Sequence, residues 1–298
     1  MNLDAFPLQA DGLRHFPAPA KLNLMLHVVG RRADGYHLLE TVFRFIDHAD
    51  SVGLAVREDG RIVRRTDLPG VAEEDDLSVR AARALQKATG CRLGADLALL
   101  KRIPQGGGLG GGSSDAATVL LALNALWKTG LSRQALQEIG LGLGADVPVF
   151  VFGETAFASG IGEELVAIDA EKACYVVLVP PVQVPTREVF QSPHLTRDSP
   201  AAKIAGFPHP HFRFSLAPGR NDLEPVVVAA YPTVGEHLSW LRRHAPAAMS
   251  GSGACVFAAF GSASEAEAIF ARRPAGMAGF VAAGLDRHPL WSLAASTQ

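Results

Sequence analysis

The stretch Pro104-Gln-Gly-Gly-Gly-Leu-Gly-Gly-Gly-Ser-Ser-Asp-Ala-Ala117 decides how this chain is read. Six of the seven positions from Gly106 to Gly112 are glycine, with Leu109 between them. Lacking Cβ atoms, they reach positive φ at little steric cost and let the backbone come close to a ligand. Ser113 opens a run of small and apolar residues that reaches Trp127 and reads as a helix. The start of such a helix presents unsatisfied N–H groups and the positive end of a dipole. Loop and helix together make an anion site suited to a di- or triphosphate. Ser113 and Ser114 suit a helix cap or a hydrogen bond to phosphate oxygens. The loop is not a Walker A loop, because no Gly-Lys-Ser/Thr follows it, and its spacing differs from a dinucleotide fingerprint. A flexible linker is the plain alternative, disfavoured by the apolar strand before the loop and the Ala-rich helix after it. Asp115 complements the dipole but repels a phosphate, unless it points away or helps to hold Mg²⁺ through water.

Upstream, Ala20 to Val29 alternates, with Leu22, Leu24, Leu26 and Val28 on one face and Lys21, Asn23 and Met25 on the other. That pattern predicts a half-buried strand. A loop from Gly30 with an Asp34-Gly35 turn leads to a second strand over His37 to Phe45. Ser51 to Val56 and Gly60 to Arg65 read as a hairpin. Asp76 to Thr89 reads as a helix stopped by Gly90, Asp96 to Ile103 as a strand, and Ser132 to Leu141 as a helix. Val147 to Phe152 reads as a strand from its β-branched and aromatic content. Beyond residue 155 the character changes. Short strands over 154–159 and 164–168 flank Gly160-Ile-Gly162, and a buried strand covers Tyr175 to Val179. Residues 191–218 are rich in Pro and His and read as loop. Helices over 221–230, 235–243 and 264–272 are interleaved with strands over 254–260 and 279–283. Strand runs mixed with helix pairs, without regular βαβ alternation, place the chain in the α+β class.

The 298 residues correspond to two domains, or one large one, at about 150 residues each. A division near residue 165 gives halves of 1–165 and 166–298. Hydrophobic residues at 48% and charged residues at 19% describe a globular chain rather than a disordered one. Lys and Arg (28) nearly balance Asp and Glu (30), for a net charge of −2. That argues against nucleic-acid binding driven by total charge. Cys91, Cys174 and Cys255 are widely spaced and form no CxxC pair, as expected of free thiols in a reducing compartment. No basic segment followed by an apolar core stands at the N-terminus, and no apolar run approaches the ~18–20 residues of a membrane span. The expectation is a cytoplasmic protein that engages neither membrane nor nucleic acid. His209-Pro-His211 lacks partners at metal-ligand spacing and reads as exposed loop. Arg31-Arg32, Arg64-Arg65 and Arg242-Arg243 read as solvated faces.

Three segments together resemble the GHMP kinase superfamily. The Pro104 to Ser114 stretch looks like its ATP-binding motif, Pro19-Ala-Lys21-Leu-Asn23-Leu like its first motif, and Met249-Ser-Gly-Ser-Gly-Ala-Cys255 like its C-terminal glycine-rich motif. Four more segments single out one branch: Gly30 to His37, Leu143 to Phe150, Pro185 to Phe190 and Asn221 to Glu224. The resemblance implies a two-domain GHMP kinase fold with the active site in the inter-domain cleft. The implied reaction moves the γ-phosphoryl group of ATP to the 2-hydroxyl of 4-diphosphocytidyl-2-C-methyl-D-erythritol, on the non-mevalonate route to isoprenoids. Mg²⁺ is implied too, held mainly by the nucleotide phosphates. The protein would work as a monomer or homodimer.

The same resemblance assigns residues. Lys21 and Asp146 become the catalytic pair. Pro104, Gly106, Gly107, Gly108, Leu109, Gly110, Gly111, Gly112, Ser113 and Ser114 become the ATP site. Tyr36, His37 and Phe190 hold the cytosine, since aromatic faces stack on bases and a histidine supplies hydrogen bonds from its ring or its backbone. Asn23 lies near the methylerythritol end and Thr186 near the base. Gly251 and Gly253 belong to a turn that either binds the substrate diphosphate or only enters a strand. Asn221 to Glu224 matches a motif or caps a helix. A base beside an ammonium is a weak one, tolerable in a loose transition state whose proton leaves late. A role for Asp146 confined to orienting the hydroxyl stays open. A homoserine or mevalonate kinase would keep the glycine loop without Tyr36, His37 and Phe190. A nucleotide sensor without activity would be expected to lack Lys21 or Asp146.

Overall fold

The structure is a computed structural model that describes residues 3–201 and 213–294. The histidines of His209-Pro-His211 therefore lie outside the described residues. In chain order the strands and helices begin with β1 (Arg14–Arg31), β2 (His37–Arg57), β3 (Ile62–Arg64), α1 (Leu77–Thr89) and β4 (Gly94–Leu100). Next come α2 (Gly111–Leu126), α3 (Arg133–Leu141), α4 (Val147–Phe152), β5 (Ala156–Ser159), β6 (Glu164–Ala167) and β7 (Asp169–Ala170). The second half holds β8 (Cys174–Val179), α5 (Thr186–Gln191), β9 (Arg213–Phe214), α6 (Glu224–Ala230) and α7 (Pro232–Arg242). It closes with β10 (Ala247–Met249), β11 (Val256–Phe260), α8 (Ala263–Phe270) and β12 (Ala278–Leu285). The α+β class is as expected.

One sheet carries ten strands, with β10-β11-β8-β12-β2-β4-β3 as its spine. Strand β2 organises it. One edge pairs antiparallel with β1 along almost its whole length. The other edge is shared by β5 at 41–43, β12 at Phe45 and Ile46, and β4 at 51–57. The β12 contact is short, Gly284 and Leu285 opposite Ile46 and Phe45, and Asp47 Oδ1 reinforces it by accepting from Ala283 N at 2.8 Å. This seam joins the strands of the two halves.

Helix α2 lies across the N-terminal half of the sheet, with every residue from Ser114 to Ala125 buried. A helix buried on every side belongs inside a core, and Phe16, Phe45, Leu54, Leu85, Leu97 and Phe150 share its cluster. A second core gathers Val176, Leu178, Leu223, Val227, Leu238, Trp240, Met249 and Val256 in the C-terminal half. A third, with Leu22, Leu24, Ile103, Leu109, Tyr175 and Phe257, lies between them under the glycine loop.

Three local expectations are corrected. Val147 to Phe152 is a helix. Pro148 sits in its first turn, Gly153 ends it at φ 78°, and it packs on α2 and α3. A short run apolar on every side cannot be assigned from periodicity, and the bounding Pro and Gly were the better signal. Residues 62–64 form no hairpin with 51–56. They pair parallel with β4, Ile62 to Arg64 opposite Ala95 to Leu97. Gly94 permits this approach, because a Cβ there would lie 2.1 Å from the Arg61 carbonyl oxygen. Finally, β1 is not half-buried. Lys21 and Asn23 are each only 3% exposed and Met25 is 5% exposed, since the second glycine loop covers the polar face. The register with β2 also shifts between Asn23 and Met25, which breaks the strict alternation.

Candidate active site

Two glycine loops are laced together above β1. Ala254 N donates to Gly106 O at 3.2 Å, Cys255 N to Gly107 O at 3.1 Å, and Ser250 Oγ to Gly108 O at 3.0 Å. Gly108 sits at φ 73°, and a Cβ on it would fall 2.0 Å from the Ser250 carbonyl oxygen. Part of the glycine requirement thus comes from loop-on-loop packing. Asn221 braces the second loop from below: its Nδ2 donates to Met249 O and Gly251 O, both at 2.8 Å. Glu224 adds Met249 N at 3.0 Å. The Asn221 to Glu224 segment therefore does more than cap α6.

An open cleft of about 1210 Å³ runs along the first loop. Pro104, Gly106 to Gly112 (Leu109 included) and Ser113 line it. Ser113 stands in the first turn of α2, and its hydroxyl has no partner among the described residues. Ser114 departs from the expected role. It is fully buried, its Oγ donates to Pro19 O at 2.7 Å and its N–H to Gly110 O at 2.9 Å. Both donors are engaged within the protein and neither faces the cleft.

Lys21 lies at the middle of the cleft, held by three oxygens. Its Nζ is 2.5 Å from Asn23 Oδ1, 3.0 Å from Gly108 O and 3.3 Å from Asp146 Oδ2. That set matches the three donors of an ammonium. Asn23 is oriented in turn by its Nδ2 donating to Thr41 Oγ1 at 2.9 Å, while Thr41 donates to Met25 O at 2.5 Å. Asp146 occupies the N-cap position of α4 yet makes no capping hydrogen bond. Its side chain is 37% exposed and lines the cleft. Gly251 comes against this pair, where a Cβ would lie 3.1 Å from Asn23 Oδ1 and 3.4 Å from Lys21 Nζ.

The cleft has two different ends. At one, the His37 and Phe190 rings lie 5.0 Å apart at 30°, Tyr36 is 61% exposed, and Thr186 Oγ1 shares a hydrogen bond with Ser252 Oγ at 2.7 Å. Gly253 lines the wall beside them, and Arg197 reaches His37 from the loop after α5. Burial, then the charges of Arg197 and Arg31, lowers the His37 pKa and favours the neutral ring. At the other end, Leu68, Val71, Leu99 and Ile103 form an apolar wall next to Lys101.

Beneath the loop, Lys101 Nζ is shared between Asp50 and Asp115. Burial alone would lower the Lys101 pKa, but Asp115 and Asp50 override it and the net direction is upward. Burial pushes the Asp115 carboxyl up to about 7 against the opposing pull of Lys101, and its Oδ1 has no hydrogen-bond partner. All three cysteines are free, and burial pushes the Cys255 thiol up to about 12.

Lys101, Thr41, Arg197 and the apolar end wall were absent from the sequence reading. Lys101 and Thr41 sit in ordinary strand surroundings. Arg197 falls in the Pro- and His-rich stretch that carries no motif.

Two family descriptions match the chain: GHMP kinases N terminal domain over residues 76–154 and GHMP kinases C terminal over residues 213–278. The 4-diphosphocytidyl-2-C-methyl-D-erythritol kinase of Thiobacillus denitrificans is 61% identical over 276 residues, covering 93% of this chain and 97% of the relative. The kinase of the same name from Dechloromonas aromatica is 58% identical over 92% of this chain and 98% of its own length. A crystal structure of 4-(cytidine 5'-diphospho)-2C-methyl-D-erythritol kinase superposes with a TM-score of 0.74 at 33% identity, covering 91% of this chain and 99% of that one. The Methanococcus jannaschii mevalonate kinase shares the fold, with a TM-score of 0.63 at 11% identity over 93% of this chain and 100% of that one. Among the described residues, no helix is long and apolar enough to cross a membrane.

Proposed function

The chain belongs to the 4-diphosphocytidyl-2-C-methyl-D-erythritol kinase family of GHMP kinases, and from that premise we propose how its cleft transfers phosphate. The reaction takes the γ-phosphoryl group of ATP to the 2-hydroxyl of 4-diphosphocytidyl-2-C-methyl-D-erythritol, leaving ADP and the 2-phosphate. The observation that carries the assignment of roles is the Lys21–Asp146 pair, 3.3 Å apart and tied to the glycine loop through Gly108 O.

ATP lies with its phosphates against Gly106 to Ser113, where the helix α2 N-terminus offers N–H groups to the anion. Its base lies on the apolar wall of Leu68, Val71, Leu99 and Ile103. The second substrate enters from the other end, its cytosine held by Tyr36, His37 and Phe190 with Thr186 near the base. Its diphosphate passes Gly251 and Gly253. Asn23 acts chiefly by fixing Lys21. The 2-hydroxyl oxygen forms its bond to the γ-phosphorus as the bridging oxygen leaves with its electron pair on ADP. The hydroxyl proton passes to the Asp146 carboxylate. Lys21 stabilises the charge that develops on the transferring group and holds Asp146 in place, which suits a reaction governed by positioning and electrostatics.

Mg²⁺ bound with the nucleotide would supply positive charge to its phosphate oxygens. Among the described residues no group of three His, Cys, Asp or Glu side chains could hold a metal ion. The Ser113 hydroxyl and the Asp146 and Asp115 carboxyls, which line the cleft, would offer protein oxygens to it.

The reading is tested by ADP release with Mg-ATP and three acceptors in parallel: 4-diphosphocytidyl-2-C-methyl-D-erythritol, mevalonate and homoserine. Release with the cytidyl acceptor alone is expected, and release with either other alcohol in its place would overturn the assignment.

A further inference from the structure

Arg197 is held at every nitrogen. Its Nη2 donates to Phe190 O at 3.0 Å and Ser192 O at 2.7 Å, its Nη1 to Leu195 O at 3.0 Å, and its Nε to His37 Nε2 at 3.1 Å. A guanidinium has donors only and keeps its proton throughout the range in which proteins fold. His37 Nε2 must therefore accept. In a neutral imidazole one nitrogen accepts and the other carries the hydrogen, so the proton of His37 resides on Nδ1. Nδ1 has no hydrogen-bond partner among the described residues, and His37 lines the cleft.

We propose that Arg197 is a specificity-determining positioning residue: by donating to His37 Nε2 it fixes the Nδ1–H tautomer, so that His37 offers the bound base a hydrogen-bond donor and never an acceptor. The inference rests on the reading that this end of the cleft takes a cytosine. On its hydrogen-bonding edge cytosine presents ring N3 and O2 as acceptors, whereas the N3 of uracil carries a hydrogen. A fixed donor pairs with the first and confronts the second with N–H against N–H. A site built to hydrogen-bond one partner rejects an analogue mainly because its buried polar group is left unpaired. The same guanidinium holds Phe190 O, so the stacking ring and the hydrogen-bonding ring are set by one side chain. The depressed His37 pKa, caused by burial and then by Arg197 and Arg31, works in the same direction by excluding the doubly protonated ring.

Two substitutions separate the tautomer from bracing of the loop. Arg197→Met removes every donor, while Arg197→Lys keeps a cationic donor for Nε2. Long-range ¹H–¹⁵N spectra of the histidine-labelled protein above neutral pH, assigned with His37→Gln, report the tautomer without substrate. The wild type and Arg197→Lys should show Nδ1–H, and Arg197→Met a mixture. In steady-state kinetics Arg197→Met should raise KM for the cytidyl substrate roughly tenfold with kcat little changed. It should also narrow the preference over the uridyl analogue, and Arg197→Lys should recover most of both. An Nε2–H tautomer in the wild type overturns the proposal. So does an unchanged tautomer or KM in Arg197→Met, or an equal loss in both variants despite different tautomers, which would make Arg197 a loop brace only. A wild type that uses the uridyl analogue equally well overturns the base-reading role through failure of the cytosine site itself. The spectra, taken without substrate, tell that failure from a failure of Arg197 to set the ring.

Discussion

Replacing Gly108 by alanine probes the junction of the two glycine loops. The new Cβ would stand 2.0 Å from the Ser250 carbonyl oxygen, where ordinary contact begins at 3.4 Å, so the loops must part by about 1.4 Å. Two hydrogen bonds converge on Gly108 O, from Ser250 Oγ and Lys21 Nζ, both at 3.0 Å, and a separation of that size breaks them. Left-handed backbone costs an alanine roughly 1–2 kcal/mol. Each lost bond adds about 0.5–1.5 kcal/mol, more for the charged one. A total of about 3–6 kcal/mol lowers Tm by roughly 5–10 °C in a chain of this size. The larger consequence falls on Lys21, because a shift of about 1 Å in a reacting group costs on the order of 100-fold in rate. Thermal melts and a coupled ADP assay read both quantities. Gly112→Ala is the control for stability: a Cβ there meets only Leu77 Cδ1 at 3.6 Å, an ordinary contact. Its Tm should stay close to wild type. A Gly108→Ala enzyme with kcat/KM within about threefold of wild type would refute the argument that loop packing sets the position of Lys21.

Asn221→Ala removes the donors to Met249 O and Gly251 O, and each buried carbonyl left unpaired costs about 1–3 kcal/mol. Tm and kcat should both fall, and a variant that melts like wild type contradicts the bracing role. Phe190→Ala should raise KM for the cytidyl substrate about tenfold or more while leaving KM for ATP unchanged, since a base stack is worth roughly 1–3 kcal/mol. Equal effects on both substrates would remove the ring from the base site. Asp115 has a folded pKa of about 7 against an ordinary 3.8. The folded chain keeps a proton that the unfolded chain has lost, so this contribution to stability is full below the ordinary value and fades as pH rises through about 7. Asp115→Asn should flatten that slope in denaturant titrations between about pH 4 and 7, and an unaltered slope contradicts the assignment.

The glycine loop was legible because its chemistry is local: residues without Cβ followed by a small-residue helix have few other uses. The strand bearing Lys21 was legible for the same reason, from its alternation. Its burial on both faces was not, because the covering atoms come from Ser250 and Gly251, far along the chain. The helix at Val147–Phe152 carried a strand-like composition, and only the flanking Pro and Gly marked its true form. Residues 62–64 pair with β4 across the intervening α1, a parallel contact that no turn signal announces. Asn221 looked like a cap because its acceptor does serve Leu223 N at 2.9 Å, while its donors act at a distance. Arg197 carries no pattern at all, and its meaning depends on the meeting of a loop with the start of β2, 160 positions apart.

The most direct measurement is turnover of Asp146→Asn with both substrates present, alongside titrations of each substrate alone. Asparagine keeps the shape at the α4 N-cap and a group beside Lys21 but cannot receive the hydroxyl proton. The account predicts dissociation constants within a few-fold of wild type and a kcat lower by about 10²–10⁴-fold. Near-wild-type turnover would contradict it and leave Asp146 no part in the transfer.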